Sequence, residues 1–126
     1  MILAAILLMV RMGWSAAAAE PAATLYQRHC AVCHGRNGDG KGGHLSQKAM
    51  PAHSFRDCSW MNLMSDATLF LAIHDGGAAV GMNSAMPGFG GRVTNDEIAA
   101  LVRLVRGFCA APIPMAAPTP GAPASH

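Results

Sequence analysis

Large side chains are scarce in this chain. Two Trp, one Tyr and four Phe make up 6% of its 126 residues. A length of this order supports one domain and no more. A core with so few aromatics is marginal unless something else fills it. Charge is scarce as well, at 13% of residues, with nine Lys/Arg against seven Asp/Glu. No basic stripe exists to neutralise phosphates, which excludes nucleic acid as a partner. Strand-like alternation of useful length is also missing, so the expected class is all-α. What the chain does have is Ala, Gly and Met, four cysteines and a mean hydropathy of +0.26.

The amino terminus reads as a leader. Met1 to Val10 is an apolar run of signal-peptide length, followed by Arg11-Met12-Gly13-Trp14 and then Ser15-Ala16-Ala17-Ala18-Ala19. Ala17-Ala18-Ala19 fits the small-residue cleavage pattern and places the cut before Glu20. No Lys or Arg precedes the apolar run, which departs from that pattern. The rival is an uncleaved anchor. The run is too short to span a bilayer alone, and lengthening it would bury Arg11 at a cost of a few kcal/mol. Residues 1–19 are therefore expected to be a signal peptide. The mature chain keeps eight Lys/Arg and seven Asp/Glu and has no membrane span. The expected location is the periplasm.

Three helices are legible. A short one opens near Glu20-Pro21-Ala22-Ala23-Thr24, stacks Leu25, Arg28 and His29 at helical spacing and runs into Cys30. Residues 35–56 contain too many glycines for a regular element. Ser65 fits an N-cap for a second helix through His74, with Leu69, Phe70 and Ile73 on its apolar face and Gly76-Gly77 at its end. Residues 76–92 are again expected to be loop. The last helix has Thr94-Asn95-Asp96-Glu97 as a capping box. Ile98, Leu101, Val102, Val105 and Phe108 follow at i, i+3, i+4, i+7 and i+10. Arg103 and Arg106 lie off that stripe, towards the end where the helix dipole favours cations. Residues 111–126 are Ala/Pro-rich and expected to be a disordered tail. The organisation is then a leader, a domain over 20–110 and a tail.

Cys30-Ala31-Val32-Cys33-His34 carries the chemistry. Cys-x-x-Cys-His is the attachment pattern for c-type haem. Cysteines at i and i+3 of a helix share one face, so both sulfurs reach the two vinyl groups of one porphyrin edge. The next residue then offers its imidazole to the iron. A zinc half-site would need a second cysteine pair, and Cys58 and Cys109 are too far apart to form one. A thioredoxin-like dithiol would need a βαβ context. One haem c, covalent through Cys30 and Cys33, would also supply the missing core as a large apolar plate.

The sequence resembles the single-haem class I c-type cytochromes of bacteria over about residues 20–109. The stretch from Tyr26 through Cys30, Cys33, His34 and Gly35 to Gly42 is similar to the family's attachment helix and following turn. Met86-Pro87-Gly88-Phe89-Gly90 is similar to its methionine-ligand loop, and Thr94 to Phe108 to its last helix. The resemblance implies a small cytochrome c-like fold with long loops wrapped around the haem, His34 as proximal ligand and Met86 as distal ligand. A thioether is a soft ligand suited to reduced iron, and Pro87 stiffens the turn that presents it. Met50, Met61, Met64 and Met82 are competitors that could equally be packing, and Met82, in the same loop, is the serious one. Bis-histidine ligation through His44 or His53 is the other option. The proximal imidazole usually donates its second N–H to a backbone carbonyl, a role that often falls to a proline in this family, and Pro51 is the candidate here.

Cys58 and Cys109 remain. In an oxidising compartment two such thiols are expected to be bridged. Closing about 50 residues would contribute roughly 4 kcal/mol on the chain-entropy account.

With both axial positions filled, iron has no open site for oxygen or peroxide, and one-electron transfer is the chemistry left. The expected function is a periplasmic electron carrier, not an enzyme, that meets redox partner proteins. The rivals are a haem subunit of a periplasmic dehydrogenase or oxidase, and a haem-based redox or gas sensor with a labile distal ligand. Arg28, Arg36, Lys41 and Lys48 outnumber Asp39 near the attachment motif and suit either an acidic partner or an ordinary solvated surface.

Overall fold

The structure, a computed structural model, describes residues 18–43 and 51–110. Of the expected leader it covers Ala18 and Ala19. The expected tail, His44, Lys48 and Met50 lie outside the described residues. Every regular element among the described residues is helical, so the all-α reading holds.

The first helical segment is continuous but not uniform. Helix α1 (Ala22–Leu25) leads into a π-helical turn (Tyr26–Cys30) and then helix α2 (Ala31–His34). Pro21 sits ahead of α1, where a missing N–H costs nothing. A π-turn widens the helix by one residue and shifts the face that later side chains occupy. Leu25 and Tyr26 are buried while Arg28 is exposed. The sequence reading expected plain helical spacing here, and the π-turn corrects it. Gly35 ends α2 with φ +80°, a conformation that glycine adopts without penalty.

Helix α3 (Cys58–Met61) was not legible in the sequence. Asp57 caps it, its Oδ1 accepting from the Trp60 amide at 3.1 Å. Four residues are too few to show a period. Helix α4 (Asp66–Asp75) starts at Ser65 as expected, with the Ser65 hydroxyl accepting from the Thr68 amide at 3.0 Å. A single 3-10 turn, Gly77–Val80, interrupts the loop that follows. Helix α5 (Asn95–Ala110) opens on the expected capping box. The Glu97 amide donates to Thr94 Oγ1 (3.2 Å), and the Thr94 amide donates to Glu97 Oε2 (2.9 Å).

The core forms where α1, α4 and α5 meet, and α5 packs against both of the others. Leu25 and Tyr26 come from the first segment, Leu69 and Ile73 from α4, and Ile98, Leu101, Val102 and Val105 from α5. Tyr26 is 1% exposed, and burial pushes its phenol well above the ordinary range. Its hydroxyl donates to the Gly35 carbonyl at 2.7 Å, tying the π-turn to the end of α2. Tyr26→Phe removes that donor, while the Gly35 carbonyl still accepts from the Gly38 amide at 3.1 Å, and the expected cost is that of one net hydrogen bond, about 1 kcal/mol. A thermal melt should show a fall of about 4–8 °C. An unchanged midpoint would show that this bond adds nothing to the fold.

Arg106 does not serve the end of its own helix, as its position suggested. Its Nε donates to Asp66 Oδ1 at 2.8 Å, and its terminal nitrogens donate to the Met61 and Met64 carbonyls. It closes the turn between α3 and α4 onto α5. The sulfurs of Cys58 and Cys109 lie 2.09 Å apart, with their Cα atoms 5.3 Å apart, a spacing that suits a bridge. They join the start of α3 to the last turn of α5.

Candidate functional site

A cavity of about 570 Å³ lies between α2, α4, α5 and the loops. That volume is in the range of cofactor pockets. The attachment motif contributes Cys30, Val32, Cys33 and His34 to its lining, and the 82–89 loop contributes Met82, Met86, Pro87 and Phe89. The rest is largely apolar: Leu69, Ala72 and Ile73 from α4, Leu101 and Val105 from α5, and Phe55. The four residues singled out in the sequence, Cys30, Cys33, His34 and Met86, thus line one cavity.

The local folding of the motif explains the arrangement. Cys30 closes the π-turn, and Cys33 and His34 sit in the single turn of α2. Burial pushes the Cys30 thiol up to about 11, and the neighbouring Cys33 adds to the shift. Desolvation also holds the His34 imidazole below its usual value, against a smaller opposing effect from its hydrogen bond to the His53 backbone. Neutral imidazole is the form that binds a metal. His34 Nδ1 lies 3.3 Å from the His53 carbonyl oxygen. A carbonyl can only accept, so Nδ1 carries the proton and Nε2 keeps its lone pair. Phe55 stacks on the imidazole with centroids 4.4 Å apart and planes 17° apart, which fixes the plane of the ring.

This corrects the expected role of Pro51. Pro51 lines the cavity, but the acceptor is the carbonyl two residues later. Backbone bonds explain the choice. The Phe55 amide donates to the Gly38 carbonyl at 2.8 Å, which pulls the 53–55 segment against the loop after α2. His53 itself stacks on Trp60, with centroids 3.6 Å apart. Neither His53 as the carbonyl partner nor Phe55 as the stacking partner was found from the sequence. An aromatic two residues after a histidine in a loop carries no specific signal.

Backbone pairing with α4 positions Met86. The Phe89 and Gly90 amides donate to the Ile73 and His74 carbonyls at 2.8 and 3.0 Å, and the Gly77 amide donates to the Met86 carbonyl at 3.0 Å. A Cβ on Gly88 would stand 2.7 Å from the His74 carbonyl oxygen, so the close approach needs glycine there. Among the other methionines, Met61 is in the core at 1% exposure and Met64 packs beside it. Only Met82 shares the cavity with Met86 among the described residues. Of the other histidines, His29 lines the cavity and contacts Phe89, whereas His74 pairs with Asp75 at 2.7 Å. The basic group near the motif is weaker than its count suggests, because Arg28 pairs with Glu20 at 2.7 Å.

The donor set and the apolar walls fit a haem. Two thiols three residues apart, a neutral imidazole and a thioether border one largely apolar cavity, which defines the class as c-type cytochrome. Residues 17–105 match the family described as cytochrome c oxidase, cbb3-type, subunit III. A solved structure of the c-type cytochrome KustC0563 is 31% identical, with 71% of this chain and 98% of that chain covered at a TM-score of 0.58. A single-site mutant of Kustc0563, with phenylalanine replacing a tyrosine, gives 31% identity, coverage of 71% and 99%, and a TM-score of 0.56. No curated protein matches the sequence. The chain belongs to this cytochrome c family and is a class I-like c-type cytochrome. Its cofactor is haem c, and it is a haem-based electron carrier.

Proposed function

We propose that this protein is an exported, periplasmic one-electron carrier. Haem c is held by Cys30 and Cys33, with His34 and Met86 as axial ligands. The carrying observation is that the attachment motif and the Met86 loop line the same apolar cavity of about 570 Å³. The bound haem would supply a reversible one-electron couple. The chain's own residues do the rest. Cys30 and Cys33 would anchor the haem through thioether bonds. The His53 carbonyl and Phe55 hold His34 in one tautomer and one ring plane, which leaves the Nε2 lone pair to bind iron. Leu69, Ile73, Leu101 and Val105 line the cavity and would keep water from the bound group. The α4 pairing holds Met86 in place when the charge changes, so that little structure has to move. The Cys58–Cys109 contact fits a disulfide formed in an oxidising compartment. No described helix is long and apolar enough to cross a membrane.

A second reading has a specific support. The matching family is described as an oxidase subunit, which favours a haem subunit that hands electrons to a membrane complex. The test is to export the chain together with a haem-maturation system and extract it under denaturing conditions. Retained haem with the weak far-red ferric band of methionine ligation is expected. A periplasmic fraction holding the protein alone supports the carrier, and a stable co-purifying oxidase supports the subunit. Haem removed by the extraction would overturn attachment through Cys30 and Cys33.

A further inference from the structure

The backbone nitrogen of Glu20 is held by a residue 77 positions away. It donates to Glu97 Oε1 at 2.9 Å. The other Glu97 oxygen accepts from the Thr94 amide within the capping box, also at 2.9 Å. The carboxylate of Glu20 pairs with Arg28 at 2.7 Å. Both ends of Glu20 are therefore fixed where the chain enters α1, whereas Ala18 and Ala19 are exposed. The small-residue run that fits export cleavage, Ala17-Ala18-Ala19, ends at this residue.

We propose that cleavage of the Ala19–Glu20 bond creates an α-ammonium group that pairs with the Glu97 carboxylate, so that processing itself clamps the mature amino terminus to the start of α5. The proposal rests on the exported reading above. The hydrolysis takes up one water. The C–N bond breaks, the Ala19 carbonyl becomes the carboxylate of the released leader, and the Glu20 nitrogen leaves as ammonium.

Before cleavage the Glu20 nitrogen is a neutral amide donor. After it, the same atom carries a full positive charge, so a hydrogen bond already assisted by the carboxylate gains the Coulomb attraction of two opposite charges. Glu97 already accepts from both sides, Thr94 and then Glu20, and this holds its carboxyl below the ordinary range. Register matters. A cut one residue earlier would move the ammonium about 3.5 Å along the chain, and a cut one residue later would remove the nitrogen altogether. The clamp bears on the contact between α1 and α5, which carries Leu25 against the buried stripe of α5.

The test uses the full exported chain. The intact mass of the periplasmic protein should correspond to a chain that begins at Glu20, and any other start overturns the cleavage site. Glu97→Gln keeps one oxygen to accept from the Thr94 amide, since Gln serves in the capping box as Glu does, but removes the charge and turns an NH2 donor towards the Glu20 nitrogen. In the protein starting at Glu20 this substitution should lower the melting midpoint by about 2–5 °C, the size of one exposed ion pair in a small domain. In a comparator with Gly-Ser inserted between Ala19 and Glu20, where the Glu20 nitrogen stays a neutral amide, the loss should be about half of that or less. Equal losses in the two backgrounds would overturn the ammonium pairing and leave Glu97 as a cap only. Haem retained in the same samples reports on the cytochrome reading separately, so the two can fail independently.

Discussion

Replacing Cys30 and Cys33 together with serine should yield a chain that keeps no haem on denaturing extraction and does not melt cooperatively. The first half follows from the chemistry, because without sulfur nothing bonds the ring edge to the protein. The second half follows from the packing. The cavity of about 570 Å³ is bordered by the same side chains that form the core: Leu69, Ile73, Phe89, Leu101 and Val105. Leaving buried apolar volume unfilled costs about 24 cal/mol per Å³. Carried to this volume, that is on the order of 14 kcal/mol, an upper limit because an open cavity admits water. A small domain has only about 5–15 kcal/mol of stability in total. The Cys58–Cys109 contact and the Arg106 bonds join α3 to α5 but do not fill this space. The variant should lose its melting transition in circular dichroism and bind a hydrophobic dye. A haem-free chain that still unfolds cooperatively near the wild-type midpoint would show that the protein core suffices without the cofactor.

How far the sequence reached depends on the kind of signal each feature carries. Helix α5 was legible because its apolar period persists from Ile98 to Phe108 and its start carries both halves of a capping box. The Ser65 cap and the Gly76 stop framed α4 in the same way. The attachment motif was legible because covalent chemistry forces a fixed spacing on Cys30, Cys33 and His34. The pairing of Cys58 with Cys109 was inferred by elimination among four cysteines, and the structure places the two sulfurs side by side. The π-turn was not legible, since one extra residue in a helix leaves composition and capping untouched. Nor was α3, a single turn held by Asp57 and by Arg106 from a distant helix. The error over Pro51 is of another kind. Backbone acceptors carry no residue identity, so which carbonyl meets His34 is decided by how the 51–55 loop is pinned, and the Phe55–Gly38 bond that pins it is long-range.

Met86→Ala should leave haem attachment and the fold in place but abolish the far-red ferric band and lower the reduction potential by an amount on the order of 0.2 V. Axial ligand identity spans about 0.8 V across haem proteins, and methionine paired with histidine lies at the raised end. The fold should survive because the loop is held by its backbone. The bonds from Phe89 to Ile73, from Gly90 to His74 and from Gly77 to the Met86 carbonyl make no use of the methionine side chain. Met86 itself is only half-buried, so its truncation removes less packing than a core methionine such as Met61 would. Met82→Ala is the control, because Met82 borders the same cavity. It sits beside a 3-10 turn that ends at Val80 and is followed by Gly81 in a left-handed conformation. The band and the potential should both be retained in Met82→Ala and both be lost in Met86→Ala, as read by spectroelectrochemistry on the two variants. The reverse pattern would move the distal ligand to Met82. A band kept in both variants would point to a methionine other than these two, and a parent protein without the band would return the site to bis-histidine ligation, with His53, which also borders the cavity, as the described candidate.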